Sequence, residues 1–128
     1  MRAAFAGLVF LAACQPEEAP GIVGGVDLAA PVRALGTEPF WGVEITPQEL
    51  VLSGVDRPEA RFTNPGARID GQTAVIAAEG LMLTLKASSC SDGMSDRTYR
   101  LEAEVKVGAE VLKGCAESQA VLDAGPRP

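Results

Sequence analysis

The segment of this chain densest in chemical groups is Cys90-Ser91-Asp92-Gly93-Met94-Ser95-Asp96-Arg97-Thr98-Tyr99. Asp92-Gly93 suits a turn, and Asp96 can accept from nearby backbone N–H groups. Arg97 can grip Asp92 or Asp96 through a two-pronged fork. Two outcomes are open. Such side chains bond readily to their own backbone, which would make a closed loop pinned beside Cys90. Alternatively the loop recognises something, since loops on rigid β scaffolds often carry function. Asp92, Ser95, Asp96, Arg97 and Tyr99 then form a candidate binding loop. A second candidate lies in Glu38-Pro39-Phe40-Trp41, which holds the only Trp. Trp41 either anchors the core, with Pro39 starting an edge strand, or offers an aromatic platform at a barrel mouth.

Catalysis finds little material here. The chain has no His, which removes the commonest general base and the commonest transition-metal ligand. A Ser nucleophile would then need a Lys base. Lys86, Lys106 and Lys113 fall on outward positions of alternating segments. Nothing fixes two acids at the separation a glycosidase needs. Asp92 and Asp96 lack the ligand pattern of a calcium loop. The expectation is a non-enzymatic protein with no metal and no cofactor. The balance of 11 basic against 17 acidic side chains, −6 overall, argues against a nucleic-acid partner, which would select a basic face.

The elements that must position these groups read as strands. Trp41, Val43 and Ile45 alternate with Gly42 and Glu44 until Pro47. Leu50 and Leu52 follow, and Ser53-Gly54 suits a turn. Ala60 to Thr63 precedes Asn64-Pro65-Gly66. Asp70-Gly71 is a hairpin dipeptide. Thr73 to Glu79 is apolar and partly β-branched, and Leu81, Leu83 and Leu85 alternate with Met82, Thr84 and Lys86. The clearest strand is the last long one. Tyr99, Leu101, Ala103, Val105 and Val107 face one way, and Arg100, Glu102, Glu104 and Lys106 the other. A two-residue turn at Gly108-Ala109 sets Glu104 opposite Lys113 and leaves Val111 outward. No segment keeps a helical period over three turns. The expected fold is all-β, a small antiparallel barrel or sandwich of about seven to eight short strands.

The start of the chain reads as an address. Met1-Arg2 precedes an unbroken apolar or Gly run, Ala3 to Ala13, and Cys14 precedes the polar Gln15-Pro16-Glu17-Glu18. The run is too short to span a bilayer and has the build of a signal peptide. Leu11-Ala12-Ala13-Cys14 resembles the lipobox of bacterial lipoproteins. That resemblance implies a leader, 1–13, cleaved before a Cys14 that carries acyl chains such as palmitate, several of which hold a protein stably at a bilayer. In a plain secretory leader Cys14 would be incidental. Gln15, which is not Asp, implies by the same resemblance the outer membrane, facing the periplasm. Losing 1–13 removes one Arg and no acid, so the body stays acidic and the lipid, not charge, would tether it. Residues 14–31, rich in Pro and Gly, read as the lipidated Cys and a flexible linker. Residues 32–117 read as the β-domain, and 118–128 as a frayed, disordered tail.

Once Cys14 is set aside, Cys90 and Cys115 remain as an even pair. In an oxidising compartment they are expected to form a structural disulfide. A reactive pair would instead sit close in sequence at a helix N-terminus.

Two segments resemble a family together: Leu35-Gly36-Thr37-Glu38-Pro39-Phe40-Trp41, and Cys90 to Tyr99 followed by Gly114-Cys115-Ala116. The chain resembles small bacterial envelope lipoproteins that share a GTEPFW segment and a CSDGMSDRxY…GCA segment. The likeness covers 35–116. It labels a family rather than an activity, and it departs from the usual pattern at Arg100, where many members have Pro. It implies a lipid-anchored envelope protein with a binding or structural β-domain. An alternative is inhibition of c-type lysozyme, in which an acidic body is steered to a basic partner and Ser95, Arg97 and Tyr99 enter its cleft.

Overall fold

The computed structural model describes residues 21–125. Cys14 and residues 1–13, read above as a leader, lie outside the described residues. Nine antiparallel strands form one curled sheet: β3 (Val32–Gly36), β4 (Trp41–Ile45), β5 (Glu49–Gly54), β6 (Arg57–Thr63), β7 (Arg68–Asp70), β8 (Thr73–Ala78), β9 (Leu81–Ser91), β10 (Thr98–Val107) and β11 (Glu110–Ser118). Their order is β6-β5-β4-β3-β11-β10-β9-β8-β7. A separate hairpin precedes them, β1 (Ile22–Val23) with β2 (Val26–Asp27), and a short helix follows, α1 (Gln119–Ala124).

The fold is all-β, and its curl makes a half-barrel. Period-2 alternation drives this: Val43, Ile45, Leu50, Leu52, Ile76, Leu83, Leu85, Leu101 and Val105 all turn inward and are buried, while charged neighbours face out. The curl brings β6 round to the β8–β9 turn, where a Cβ on Gly80 would lie 3.3 Å from Phe62 Cε2. The two edges, β6 and β7, are joined by residues 64–67. Edge strand β6 carries Pro58 and the pairs Arg61–Glu49 and Arg61–Glu59, each at 2.8 Å. Proline and charge blunt an edge against further strand pairing.

The expected β10 register holds. Glu104 faces Lys113, and Val111 is exposed. Gly108 occupies the first turn position between Val107 and Glu110 with φ +58°, a conformation costly for any other residue. The turn placed at Ser53-Gly54 lies two residues later. Gly54 stays in β5 and pairs with Arg57, and Val55-Asp56 makes the turn.

The main sheet has nine strands, and β3 is hard to see in the sequence because apolar Leu35 at an outward position blurs its alternation. Two expectations about the chain's ends need correction. The 14–31 segment is not a flexible linker throughout. From Gly21 it folds back, and Val23, Val26 and Leu28 join the core. Gly24-Gly25 closes that hairpin with φ of +58° and +82°, and a side chain on Gly24 would strike Leu101 at 2.9 Å. Nor is 118–128 a frayed tail throughout. Ser118 ends β11 and caps α1, its Oγ accepting from Val121 N at 3.4 Å.

An ion pair with a buried carboxylate locks hairpin to sheet. Glu117 is 2% exposed, and its carboxylate accepts from Arg100 Nε and Nη2 and from the N–H groups of Arg100 and Ser118. Arg100 Nη1 donates to Gly25 O at 3.2 Å. Arg100 stands where the β9–β10 register shifts. Proline in its place would remove both the guanidinium and the N–H that Glu117 accepts.

Candidate functional site

The outward residues of three strands make a floor. Register pairs Leu35 on β3 with Gly42 on β4, and Gly42 with Ser53 on β5. These positions alternate with the core residues Ala34, Val43 and Leu52, so they share the outer face of the sheet. The β9–β10 hairpin reaches over this face. Its tip is stapled to β11 by the disulfide Cys90–Cys115, with Cα atoms 5.7 Å apart. Helix α1 closes the side, tied to the start of β3 by Gln119 N–H donating to Pro31 O at 3.0 Å.

An open groove of about 930 Å³ results. Leu35, Gly42 and Ser53 form its floor. Asp92, Met94, Ser95, Arg97 and Tyr99 line one wall, with Leu122 and Asp123 of α1 beside them. Phe40, Trp41, Gly54 and Val55 line the other end. The two segments that stood out in the sequence therefore face one another across one groove. Phe40, Val55 and Met94 are 51%, 55% and 67% exposed.

The loop bonds mainly to itself. Asp92 Oδ1 accepts from the N–H groups of Met94 at 2.8 Å and Ser95 at 2.9 Å. Asp92 Oδ2 accepts from Ser95 Oγ at 3.0 Å and from Tyr99 OH at 2.8 Å. Partial burial pushes the Asp92 carboxyl up, but those donors outweigh it and hold it at about 2. Burial and the bond to Asp92 push Tyr99 up to about 12. Tyr99 is buried. Arg97 Nη1 donates to Leu122 O at 3.2 Å, fastening the loop to α1. Asp96 is exposed.

Trp41 is 4% exposed and packs in the core cluster. Its indole lies across Gly36, where a Cβ would sit 2.1 Å from Nε1. It is therefore no open platform, although it lines the groove. The floor residues Leu35, Gly42 and Ser53 lie on the face of the sheet away from the core cluster.

Arg33 was not singled out from the sequence. It pairs with Glu44 at 3.3 Å, and its guanidinium comes close to Gly42, where a Cβ would be 2.9 Å from Nη2. Leu35, Ser53, Leu122 and Asp123 were also missed. Strand alternation marks Leu35 and Ser53 as outward, but no local signal says that a distant hairpin covers them. Among the described residues no group of three or more acids or thiols is placed to hold a metal ion, and no helix is long and apolar enough to cross a membrane. Comparison with family models, curated proteins and solved structures finds no match to this chain.

Proposed function

We propose that the chain is a lipid-anchored protein of the bacterial envelope whose β-domain is a non-enzymatic binding module, with the groove between Phe40 and the 92–97 loop as its site. The anchor rests on Leu11-Ala12-Ala13-Cys14, and Gln15 favours the outer membrane. The disulfide agrees with a compartment outside the reducing cytosol. One observation carries the binding role. Among the described residues seven large apolar side chains are exposed, and three of them, Phe40, Val55 and Met94, stand on the rim of this groove. Exposed apolar groups gathered at a concavity mark an interaction site. The non-enzymatic reading rests on the sequence, which offers no His and no evident nucleophile–base pair.

Inhibition of c-type lysozyme draws less support from the geometry. Tyr99 is buried, the Ser95 hydroxyl donates to Asp92, and Arg97 holds α1. Contacts of that loop with a cleft would fall to Met94 and Asp96.

The test is site-directed photocrosslinking in the native envelope from positions 55 and 94, with Val111 as an exposed position outside the groove. A discrete adduct from 55 and 94 but not from 111 supports the reading. Equal labelling from all three, or none, refutes it. Incorporation of labelled palmitate that persists in Cys14→Ser refutes the anchor.

A further inference from the structure

We infer that the β1–β2 hairpin controls the groove at a distance. Through Arg100 and Glu117 it holds the wall that α1 and the 92–97 loop form, so that loosening the hairpin loosens the wall. No residue of the hairpin lines the groove. The inference rests on the groove reading for its effect on binding and adds a control of that site.

Glu117 joins the two ends of this route. Among the described residues it is the charged residue that is buried, 2% exposed. Its carboxylate accepts from Arg100 Nη2 at 2.6 Å, Arg100 Nε at 2.9 Å and Arg100 N–H at 3.1 Å. It also accepts from Ser118 N–H at 2.9 Å. At that burial water cannot replace a lost donor, so a change at one partner is felt by the others.

One arm runs from Arg100 to the hairpin. Arg100 Nη1 donates to Gly25 O at 3.2 Å, and a Cβ on the neighbouring Gly24 would lie 2.9 Å from Leu101. The hairpin tip therefore sits directly against β10. The other arm runs from Ser118 to the groove. Ser118 Oγ accepts from Val121 N–H at 3.4 Å, and Leu122 O accepts from Arg97 Nη1 at 3.2 Å. Arg97 N–H donates to Ser95 Oγ at 3.2 Å, and that hydroxyl donates to Asp92. Met94, Ser95, Arg97 and Leu122 all line the groove.

The wall is the part that can respond. Helix α1 has six residues and none of them is buried. So short a helix is not stable by itself, and no core packing fixes it. Its place is set by the bonds at its ends, and the Ser118 bond to Glu117 is one of them. Local opening of the hairpin leaves Arg100, whose side chain is 44% exposed, free to turn to water. Glu117 then loses the donors opposite Ser118, and the β11–α1 junction shifts with it. Arg100 and Glu117 are thus positioning residues for the groove.

The experiment perturbs the hairpin and reads the wall. Val26→Ala removes two methyl groups from a buried position and touches no residue of the route. Methyl NMR on the full chain follows Leu122 and Met94, with Met82 and Val111, exposed and outside the groove, as references. Val26→Ala is expected to move the Leu122 and Met94 resonances and leave Met82 and Val111 in place. With Arg100→Met in the background, the same substitution is expected to move neither wall residue. Should Arg100→Met not fold, Arg100→Lys replaces it, since one nitrogen cannot span Glu117 and Gly25 as three do. Unmoved wall resonances, movement of all four residues, or equal movement with and without Arg100 overturns the inference. Crosslinking from position 94 gives the second readout. Its adduct is expected to fall about fivefold in Val26→Ala, the lower end of coupling between sites, and an undiminished adduct overturns the control of binding. If no adduct forms even in the parent, the groove reading fails, and the methyl resonances alone judge the coupling.

Discussion

Asp92→Asn isolates the bond on which the 92–97 loop depends. Asn can keep the acceptor at Oδ1 for the N–H groups of Met94 and Ser95. It replaces Oδ2, which accepts from Tyr99 OH at 2.8 Å and Ser95 Oγ at 3.0 Å, with a donor or an uncharged oxygen. The phenol loses a charged acceptor but stays buried. Tyr99 rises from 10.0 to about 12 through burial first and Asp92 second. Removing only the second cause should bring its midpoint down without returning it to the starting value. Two pKa units correspond to about 3 kcal/mol of preference for the neutral phenol. The sign follows directly. A group whose folded pKa is raised adds stability that is complete below pH 10 and fades as pH climbs toward 12. Tyr99 is the only tyrosine, so tyrosinate absorbance reads it without ambiguity. The parent should titrate about two units above a free phenol, and Asp92→Asn between the two. Loss of a charge-assisted bond at a partly exposed carboxylate should also cost about 1–2 kcal/mol, or roughly 5–10 °C in Tm. A parent midpoint at the ordinary value would refute the buried Tyr99–Asp92 bond. An unchanged midpoint in the variant would assign the whole shift to burial.

Other perturbations test the remaining supports. Reducing Cys90–Cys115, which closes 25 residues of separation, should lower stability by about 3 kcal/mol by loop entropy; a calorimetric Tm unchanged by reductant would remove the staple. Glu117→Ala removes the acceptor shared by the Arg100 guanidinium and the N–H groups of Arg100 and Ser118 and should cost about 2 kcal/mol, with amide exchange rising first at Val23 and Val26; uniform exchange would deny that the pair locks the hairpin. Gly114→Ala puts a Cβ 1.9 Å from Leu35 O and should prevent folding, judged by loss of dispersed amide resonances. Gly71→Ala meets no atom within 4 Å but sits at φ +64°, so a loss of only about 1 kcal/mol is expected in denaturant melts. Below pH 4, Asp92 should release about 1 kcal/mol as its carboxyl titrates toward 2. Acid unfolding of Asp92→Asn should lack that component.

What the chain alone determines is set by near neighbours. Alternation at Leu101 to Val107 fixes which face of that strand is buried, since successive side chains must point opposite ways; at Tyr99 the register shift breaks it. Gly71 and Gly108 mark their turns because few residues adopt positive φ cheaply. That the chain offers no imidazole and carries a net negative charge is likewise known before any fold is. Glu117 shows where this reading stops. It looks like an outward charge at the end of a strand, and only the arrival of Arg100 and Gly25 from distant segments makes its burial tolerable. Val23, Val26 and Leu122 likewise sit in segments whose composition reads as linker and tail. The groove belongs to tertiary structure entirely. Leu35, Gly42 and Ser53 become neighbours through strand register, and the stapled hairpin and α1 then wall them in. Those contacts depend on how strands far apart in sequence pair and curl, which no local pattern encodes.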